Sequence, residues 1–560
     1  MLESTMMDVP LTIPTILDRM KLLFSNSKVV SYLPVGIDPD TKQPIPGRVE
    51  ETYGQLSDRA HQLMHALSDA GVTAGTRVAT FATNHHRHLE LYYAIPSVGA
   101  VAHMVNIRLP DEQVVYIINH AADEVLFVDN VFLPRLPAIL SACPTLKRVI
   151  VMGAVPQLPS GMTDYEAFIA GKPTQYTYPE IDERQAAGMC YTSGTTGHPK
   201  GVVYSHRAYV LHSLVSASSE MMGVTERDTV LPIVPMFHVS AWGYPFTCPF
   251  VGANLLLTSV FTAPAFIAKV LQDEGVTHTA GVPTIWFGLL EELDRARAAG
   301  QPYRLEKLRS LLVGGSAAPR SLIEGYGERH GLRVAHAWGM TETTPLGTLN
   351  NLKPEHDHLE PAARYDVMAL TGRPAMLVQL KLVDEHDNLL PHDGRTPGRL
   401  LVRGPWVTGS YYHNPEATAA SQKDGWFDTG DIATMNGDGY MMIQDRAKDL
   451  IKSGGEWISS VDLENTLMGH PKLKEAAVIA IAHPKWGERP LGVLVVRDGL
   501  EVSKSELDTF LLERGFAKWQ LPDAYEVVAE IPKTTVGKFL KRTLRDQFKD
   551  YTMPTAITLE

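Results

Sequence analysis

The strongest chemical signal in the chain is the stretch Tyr191 to Val202, YTSGTTGHPKGV. Gly194, Gly197 and Gly201 permit tight turns that aim backbone N–H groups at an anion. Thr192, Ser193, Thr195 and Thr196 add hydroxyl donors, and Lys200 adds a positive charge. Donors at this density make a phosphate cradle. The residue order is not GxxxxGK[ST], so the loop is not of the Walker A kind. An apolar strand at 189–191 runs into the loop, and a helix is predicted to begin near Ser205.

The loop resembles the phosphate loop of the adenylate-forming superfamily, which includes acyl-CoA synthetases, aryl-CoA ligases, firefly luciferase and the adenylation domains of peptide synthetases. Other motifs of that family recur in order. HAWGMTET (336–343) is similar to its aromatic-Gly-x-Thr-Glu motif, and GWFDTGD (425–431) to its Thr-Gly-Asp motif. DRAKDLIK (445–452), followed by SGGEWIS, is similar to its hinge, and PKTTVGK (532–538) to its C-terminal lysine loop. PMFHVSAWGYPF (235–246), GGSAAPRSL (314–322), KSGGEWISSVDLENTLMGHP (452–471) and FAKWQLPDAY (516–525) resemble bacterial long- and medium-chain fatty acyl-CoA synthetases.

The resemblance implies an AMP-forming fatty acid–CoA ligase. A carboxylate attacks the α-phosphate of Mg-ATP, giving acyl-AMP and pyrophosphate; the thiol of coenzyme A then takes the acyl group and releases AMP. Joining two anions demands focused positive charge and oriented donors. On this reading Thr192 to Lys200 hold the β- and γ-phosphates, and Thr192 and Glu342 are the Mg2+ contacts, hard oxygen donors for a hard cation. Thr341 bonds the α-phosphate, and Trp338 offers a π-face to adenine, with His336, Ala337, Gly339, Val239 and Ser316 completing the nucleotide site. Asp431 accepts from the ribose hydroxyls. Arg446, Lys448, Lys452 and Trp457 contact the nucleotide from beyond the hinge at Asp445. Lys538, carried on the loop 534–537, bridges the substrate carboxylate and the α-phosphate. His238 sits at the acyl–adenylate junction, Trp242 gates the acyl tunnel, and Gly315 lines the acyl pocket. Position 533 is Lys where the family often has Arg. His85, His86 and His88 read as a polar helix start and not as metal ligands, because the sequence offers no second ligand cluster beside them.

Elements that position these residues can also be read. Leu56, Ala60, Leu63 and Leu67 recur at helical spacing and Gly71 stops the run. Strands are predicted at 77–83, 126–128 and 148–152, with a helix from about His88; the rhythm returns at 254–257, 277–280 and 310–313. The first 45 residues, with several prolines, read as irregular. From about residue 375 the texture becomes that of antiparallel hairpins, with turns at Asp393-Gly394 and Asn436-Gly437-Asp438-Gly439. After Asp445 follow a helix from Val461, strands at 476–481 and 491–496 and a helix from Ser505. The expected fold class is α/β. The resemblance implies a large N-terminal domain (1–444) of stacked αβαβα sheets with a small β-barrel-like subdomain, then a small mobile α+β domain (445–560) carrying the catalytic lysine.

Composition narrows the function classes. The 560 residues suggest several domain-sized units. A net charge of −12 argues against a dedicated nucleic-acid binder while leaving room for a local anion site. Three scattered cysteines without a CxxC exclude a disulfide scaffold or a cysteine-rich zinc site and fit a reducing cytoplasm. MLESTMMDVPLTIP is not a signal peptide, and no stretch approaches 18 uninterrupted apolar residues, so no integral membrane contact is expected. The long-chain resemblance further implies a homodimer. Rival readings are a CoA ligase for a small acid such as 3-methylthiopropionate, an adenylating enzyme with a non-CoA acceptor, and a nucleotide-binding regulator without chemistry. Intact Lys200, Glu342, Asp431 and Lys538 disfavour the last.

Overall fold

The computed structural model describes residues 4–192, 198–454, 456–533 and 538–551. Two large sheets carry most of the chain. One has seven strands in the order Thr163–Asp164, Arg148–Met152, Val125–Asp129, Arg77–Phe81, Val101–Met104, Ala186–Tyr191, Gly201–Ser205, all parallel except the last pair. The other has nine strands, with a parallel centre built from Ser310–Val313, His278–Gly281, Thr229–Pro232 and Asn254–Leu257. The predicted strands of both halves therefore exist, and their Val- and Leu-rich sequences are those of strands buried on both faces.

Helix His86–Ser97 touches strands of both sheets, so it lies between them, and every residue in it except Arg87 is buried. Its start, read from the sequence as polar, is a helix start that is buried as well. His85, His86 and His88 are all at most 2% exposed, and burial is offset by partners. His85 Nε2 meets Asp129 Oδ1 at 2.8 Å, the His86 N–H donates to Ser31 Oγ, and the His88 ring spans Thr83 O and Thr80 Oγ1. His86 also faces a second set of acidic ligands that the sequence did not reveal, Glu51 and Glu90. Both Glu90 oxygens are already engaged: Arg59 Nε donates to one at 2.8 Å and the Tyr165 hydroxyl to the other.

One expectation about the fold needs correction. Residues 13–45 are not irregular. They form helix Ile13–Leu23 and the hairpin Lys28–Ile37 with Pro44–Thr52, which closes the nine-stranded sheet. The prolines mislead because Pro14 sits in the first turn of a helix, where no N–H is missed, and Pro44 and Pro46 lie on an edge strand. The helix predicted to begin near Ser205 is present, with one strand between it and the phosphate loop. Gly201–Ser205 first turns back as a strand against Ala186–Tyr191, and Ser205 then caps helix His206–Ala217 by accepting from the Ala208 N–H.

The hairpins after residue 375 form a five-stranded antiparallel sheet containing Gln379–Val383, Gly398–Arg403, Trp426–Met435 and Met441–Arg446. A separate five-stranded sheet follows, built on the long pair Leu473–His483 and Gly487–Val496. It packs helices Ser460–Leu467, Lys504–Leu512 and Lys541–Gln547 over cores of its own. Asp445 lies between these two bodies, inside strand Met441–Arg446 and opposite Ile432. It is 1% exposed, and its carboxylate accepts from the N–H and hydroxyl of Ser460, at the start of the first C-terminal helix. Among the described residues no helix is long and apolar enough to cross a membrane.

Candidate functional site

The phosphate loop leaves the sheet at Thr192, whose N–H donates to Lys200 O at 2.9 Å while the Lys200 N–H donates to Thr192 Oγ1 at 3.1 Å. These bonds close the neck of the loop. Ser193, Gly194, Thr195, Thr196 and Gly197 lie outside the described residues. The Lys200 ammonium sits 4.8 Å from the centre of the Tyr411 ring. The Tyr411 hydroxyl donates to Glu342 Oε1 at 2.6 Å.

Thr341 and Glu342 occupy a single 3-10 turn just after strand Val334–Gly339. Both are buried. Backbone contacts from two other segments fix that turn: the Tyr204 hydroxyl donates to Thr341 O at 2.9 Å and the Thr408 N–H to Glu342 O at 2.7 Å. Gly339 cannot be replaced without disturbance, because a Cβ there would meet Pro345 O at 1.8 Å.

Asp431 and Arg446 are direct cross-strand partners, and Arg446 Nε lies 2.9 Å from Asp431 Oδ1. The Trp338 indole N–H donates to Asp431 Oδ2 at 3.0 Å. The residue expected to offer an aromatic face and the one expected to accept from ribose are thus bonded to each other. His336, by contrast, spends its ring on packing: Nδ1 is 3.1 Å from Ala369 O, and Nε2 accepts from the Ala318 N–H. Burial pulls its pKa down to about 4. Ala337 is half-buried beside it, while Ser316 is exposed.

Lys538 comes from the far end of the chain into this cluster. Its pKa is lowered to about 8, first by burial and then by the charge of Arg446, with Asp431 and Glu342 opposing the change. The His238 ring is held near pKa 3, first by burial and then by the charges of Lys538 and Arg108. It is therefore a neutral imidazole at any physiological pH. Lys448 is exposed, and partial desolvation by its surroundings lowers its pKa. Lys452 and Trp457 pair across a hairpin on the C-terminal sheet, ammonium to ring centre 4.9 Å, and both are exposed.

After His238 the backbone does something the sequence does not announce. Val239, Ser240, Ala241 and Trp242 all have φ between 38° and 55°, and Gly243 follows at 81°. Only the glycine adopts this left-handed region at no cost. The Ser240 and Tyr209 hydroxyls, 2.7 Å apart, pin the turn. The turn holds Trp242 half-buried against Gly314 and Gly315; a Cβ on Gly314 would lie 3.0 Å from its indole.

Sequence reasoning did not find Tyr411, Tyr204 or Thr408. Each acts through contacts with residues remote in sequence, and Tyr411 lies 69 residues from Glu342. The family model for AMP-binding enzymes matches residues 38–412, and that for the AMP-binding enzyme C-terminal domain matches residues 462–538. The long-chain-fatty-acid–CoA ligase of Thermus thermophilus is 48% identical over 98% of this chain and 97% of its own length. The 3-methylmercaptopropionyl-CoA ligase of Ruegeria pomeroyi is 46% identical over 90% of this chain and 93% of its own. The medium-chain-fatty-acid–CoA ligase of Ectopseudomonas oleovorans is 44% identical over 89% and 90%. Among solved structures, the anthranilate CoA ligase AuaEII in complex with anthranoyl-AMP superposes with a TM-score of 0.85 at 26% identity, covering 97% of this chain and 98% of that one.

Proposed function

The chain belongs to the AMP-binding enzyme family and is an ATP-dependent acyl-CoA ligase, and from that premise we propose that its acid is a medium- to long-chain fatty acid and that the residues assembled above carry the two half-reactions. The observation that supports the site assignment most is the electrostatic coupling of Lys538 to Arg446, Asp431 and Glu342. It sets a flexible cation beside the nucleotide groups, where a carboxylate and an α-phosphate must be brought together.

Thr192 and Lys200 take the β- and γ-phosphates, and Thr341 the α-phosphate. Asp431 takes the ribose, with Trp338 and Arg446 holding its carboxylate in place. The oxygens of Glu342 and Thr192 suit magnesium, which prefers carboxylate and phosphate oxygen; when bound it would offset phosphate charge. Tyr411 and the Thr408 N–H orient Glu342 for that purpose. His238, uncharged, shapes the acyl junction without adding a second cation. The swing that exchanges Lys538 for the 452–456 segment in the thioester step would turn on Asp445, whose bonds to Ser460 tie the two bodies in the present arrangement.

The fatty-acid reading rests on the segment 237–246, FHVSAWGYPF, which has no charged residue to pair with a second polar group on the acid. Pyrophosphate release and coenzyme A consumption across acids from propionate to palmitate, with 3-methylthiopropionate included, test it. A maximum at six or more carbons is the expected outcome. A maximum at 3-methylthiopropionate would replace it with the small-acid reading, and pyrophosphate release without coenzyme A consumption would point to another acceptor. A homodimer and a cytoplasmic location complete the proposal; light scattering tests the first.

Trp242 is expected to gate acyl access. Trp242→Ala should leave ATP affinity alone and remove the dependence of fatty-acid binding on prior ATP. A core role would instead show as a loss of thermal stability, since emptying a fully buried Trp site costs about 3–5 kcal/mol. An acid titration with and without a non-hydrolysable ATP analogue, beside a melting curve, separates the two. Lower stability with unchanged ATP dependence would retire the gate.

A further inference from the structure

Helix Asp111–Ala121 touches the chain on both sides of the phosphate loop through two residues one turn apart. The Tyr116 ring lies nearly parallel to the His198 ring, centroids 4.4 Å apart at 20°. It is also near-parallel to His120, at 5.5 Å and 24°. His120 Nδ1 in turn lies 2.7 Å from the Tyr191 hydroxyl. Tyr191 is the last residue before Thr192, and His198 immediately follows Gly197. A third segment leans on the same imidazole: the Tyr412 ring meets His120 edge-on at 5.6 Å, while the Tyr412 N–H donates to Gly201 O at 2.9 Å.

None of these contacts is needed to build the sheet, whose ladder already pairs Ala186–Tyr191 with Gly201–Ser205. They do fix where the two ends of the loop stand. Holding the ends in place before binding removes an ordering cost that would be subtracted from affinity.

We propose that Tyr116 and His120 are positioning residues that brace the two ends of the phosphate loop, Tyr191 and His198, and thereby favour binding of the β- and γ-phosphates of ATP and of pyrophosphate. The inference rests on the phosphate role of the loop proposed above. An aromatic stack is worth about 0.5–1.5 kcal/mol beyond burial, which is about 2- to 12-fold in a binding constant.

The test compares Tyr116→Leu, Tyr116→Phe and His198→Ala, with Lys200→Ala as reference. Three quantities are measured: KM for ATP in adenylation, KM for pyrophosphate in the reverse reaction, and thioester formation from pre-made acyl-AMP. Tyr116→Leu is expected to raise both KM values about 2- to 12-fold and to leave thioester formation unchanged, because pyrophosphate has left by then. Tyr116→Phe keeps the ring and should restore both constants. His198 is exposed, so His198→Ala should fold and repeat the effect even where Tyr116→Leu loses stability. Unchanged KM values in both Tyr116→Leu and His198→Ala, an equal loss in the thioester step, or failure of Phe to rescue would overturn the brace. Should Lys200→Ala raise both constants while neither of the other variants does, the brace falls and the phosphate loop stands; should Lys200→Ala leave them unchanged as well, the phosphate role itself falls.

Discussion

Lys538→Ala is expected to slow acyl-adenylate formation by about a hundredfold or more while sparing thioester formation from supplied acyl-AMP. Removing one preorganised transition-state contact costs about 10²–10³ in rate. Only the first step joins two anions, so only that step needs a cation between them. The lowered pKa of Lys538 adds a second, independent readout. The ammonium is the active form, and burial brings its loss down to about 8. In the free enzyme, therefore, kcat/KM for adenylation should be full below that value and fall as pH rises through it. Bound ATP adds negative charge and favours the ammonium, so the corresponding limb in kcat should lie at higher pH. Thioester formation should show neither limb from this group. Equal losses in both half-reactions would remove Lys538 from the adenylation step.

Asp431→Ala should produce the other large effect, on nucleotide binding. Its carboxylate is shared by Arg446 at 2.9 Å and the Trp338 indole N–H at 3.0 Å. Both partners hold it in one orientation, so removing it takes away the ribose acceptor and leaves two donors unmatched. The Arg446 side chain keeps 41% of its exposure, so water can solvate it, whereas the Trp338 N–H is buried, so fold stability should fall by about 1–3 kcal/mol. Hydrogen bonds to a charged acceptor are worth about 1.5–3 kcal/mol each, so KM for ATP should rise about a hundredfold. The effect should appear in both half-reactions, since the AMP moiety is present in each. The sharper measurement uses 2′,3′-dideoxy-ATP. The unaltered enzyme should strongly prefer ATP, and Asp431→Ala should lose that preference. A variant that still discriminates between the two nucleotides would show that ribose is read elsewhere.

What the sequence determined by itself was local. A loop that must curl around phosphate needs glycines and hydroxyls within a few residues, and YTSGTTGHPKGV carries that requirement in its own order. The antiparallel segments after residue 375 were legible for the same reason: turn residues and alternation act between neighbours. Local reading failed where one residue type serves two environments. Proline in the first 45 residues serves a helix start and an edge strand as readily as a loop. Histidine at 85–88 is polar by type but buried by position.

Tertiary structure alone decided which distant groups meet. The Trp338–Asp431 bond spans 93 residues and the Tyr411–Glu342 bond 69, and the loop at 191–198 is braced from residues 116 and 120. Motif order placed Lys538 in the family of the lysine loop; only the packing of the C-terminal body against the rest set it beside Arg446, Asp431 and Glu342. The left-handed turn that presents Trp242 to Gly314 is of the same kind, since four non-glycine residues accept that backbone only where surrounding packing and the Ser240–Tyr209 contact hold it. The physical reason is range. Backbone preferences and turn chemistry act over a few residues, whereas hydrogen bonds and charge pairs between remote segments exist only after burial has brought those segments together.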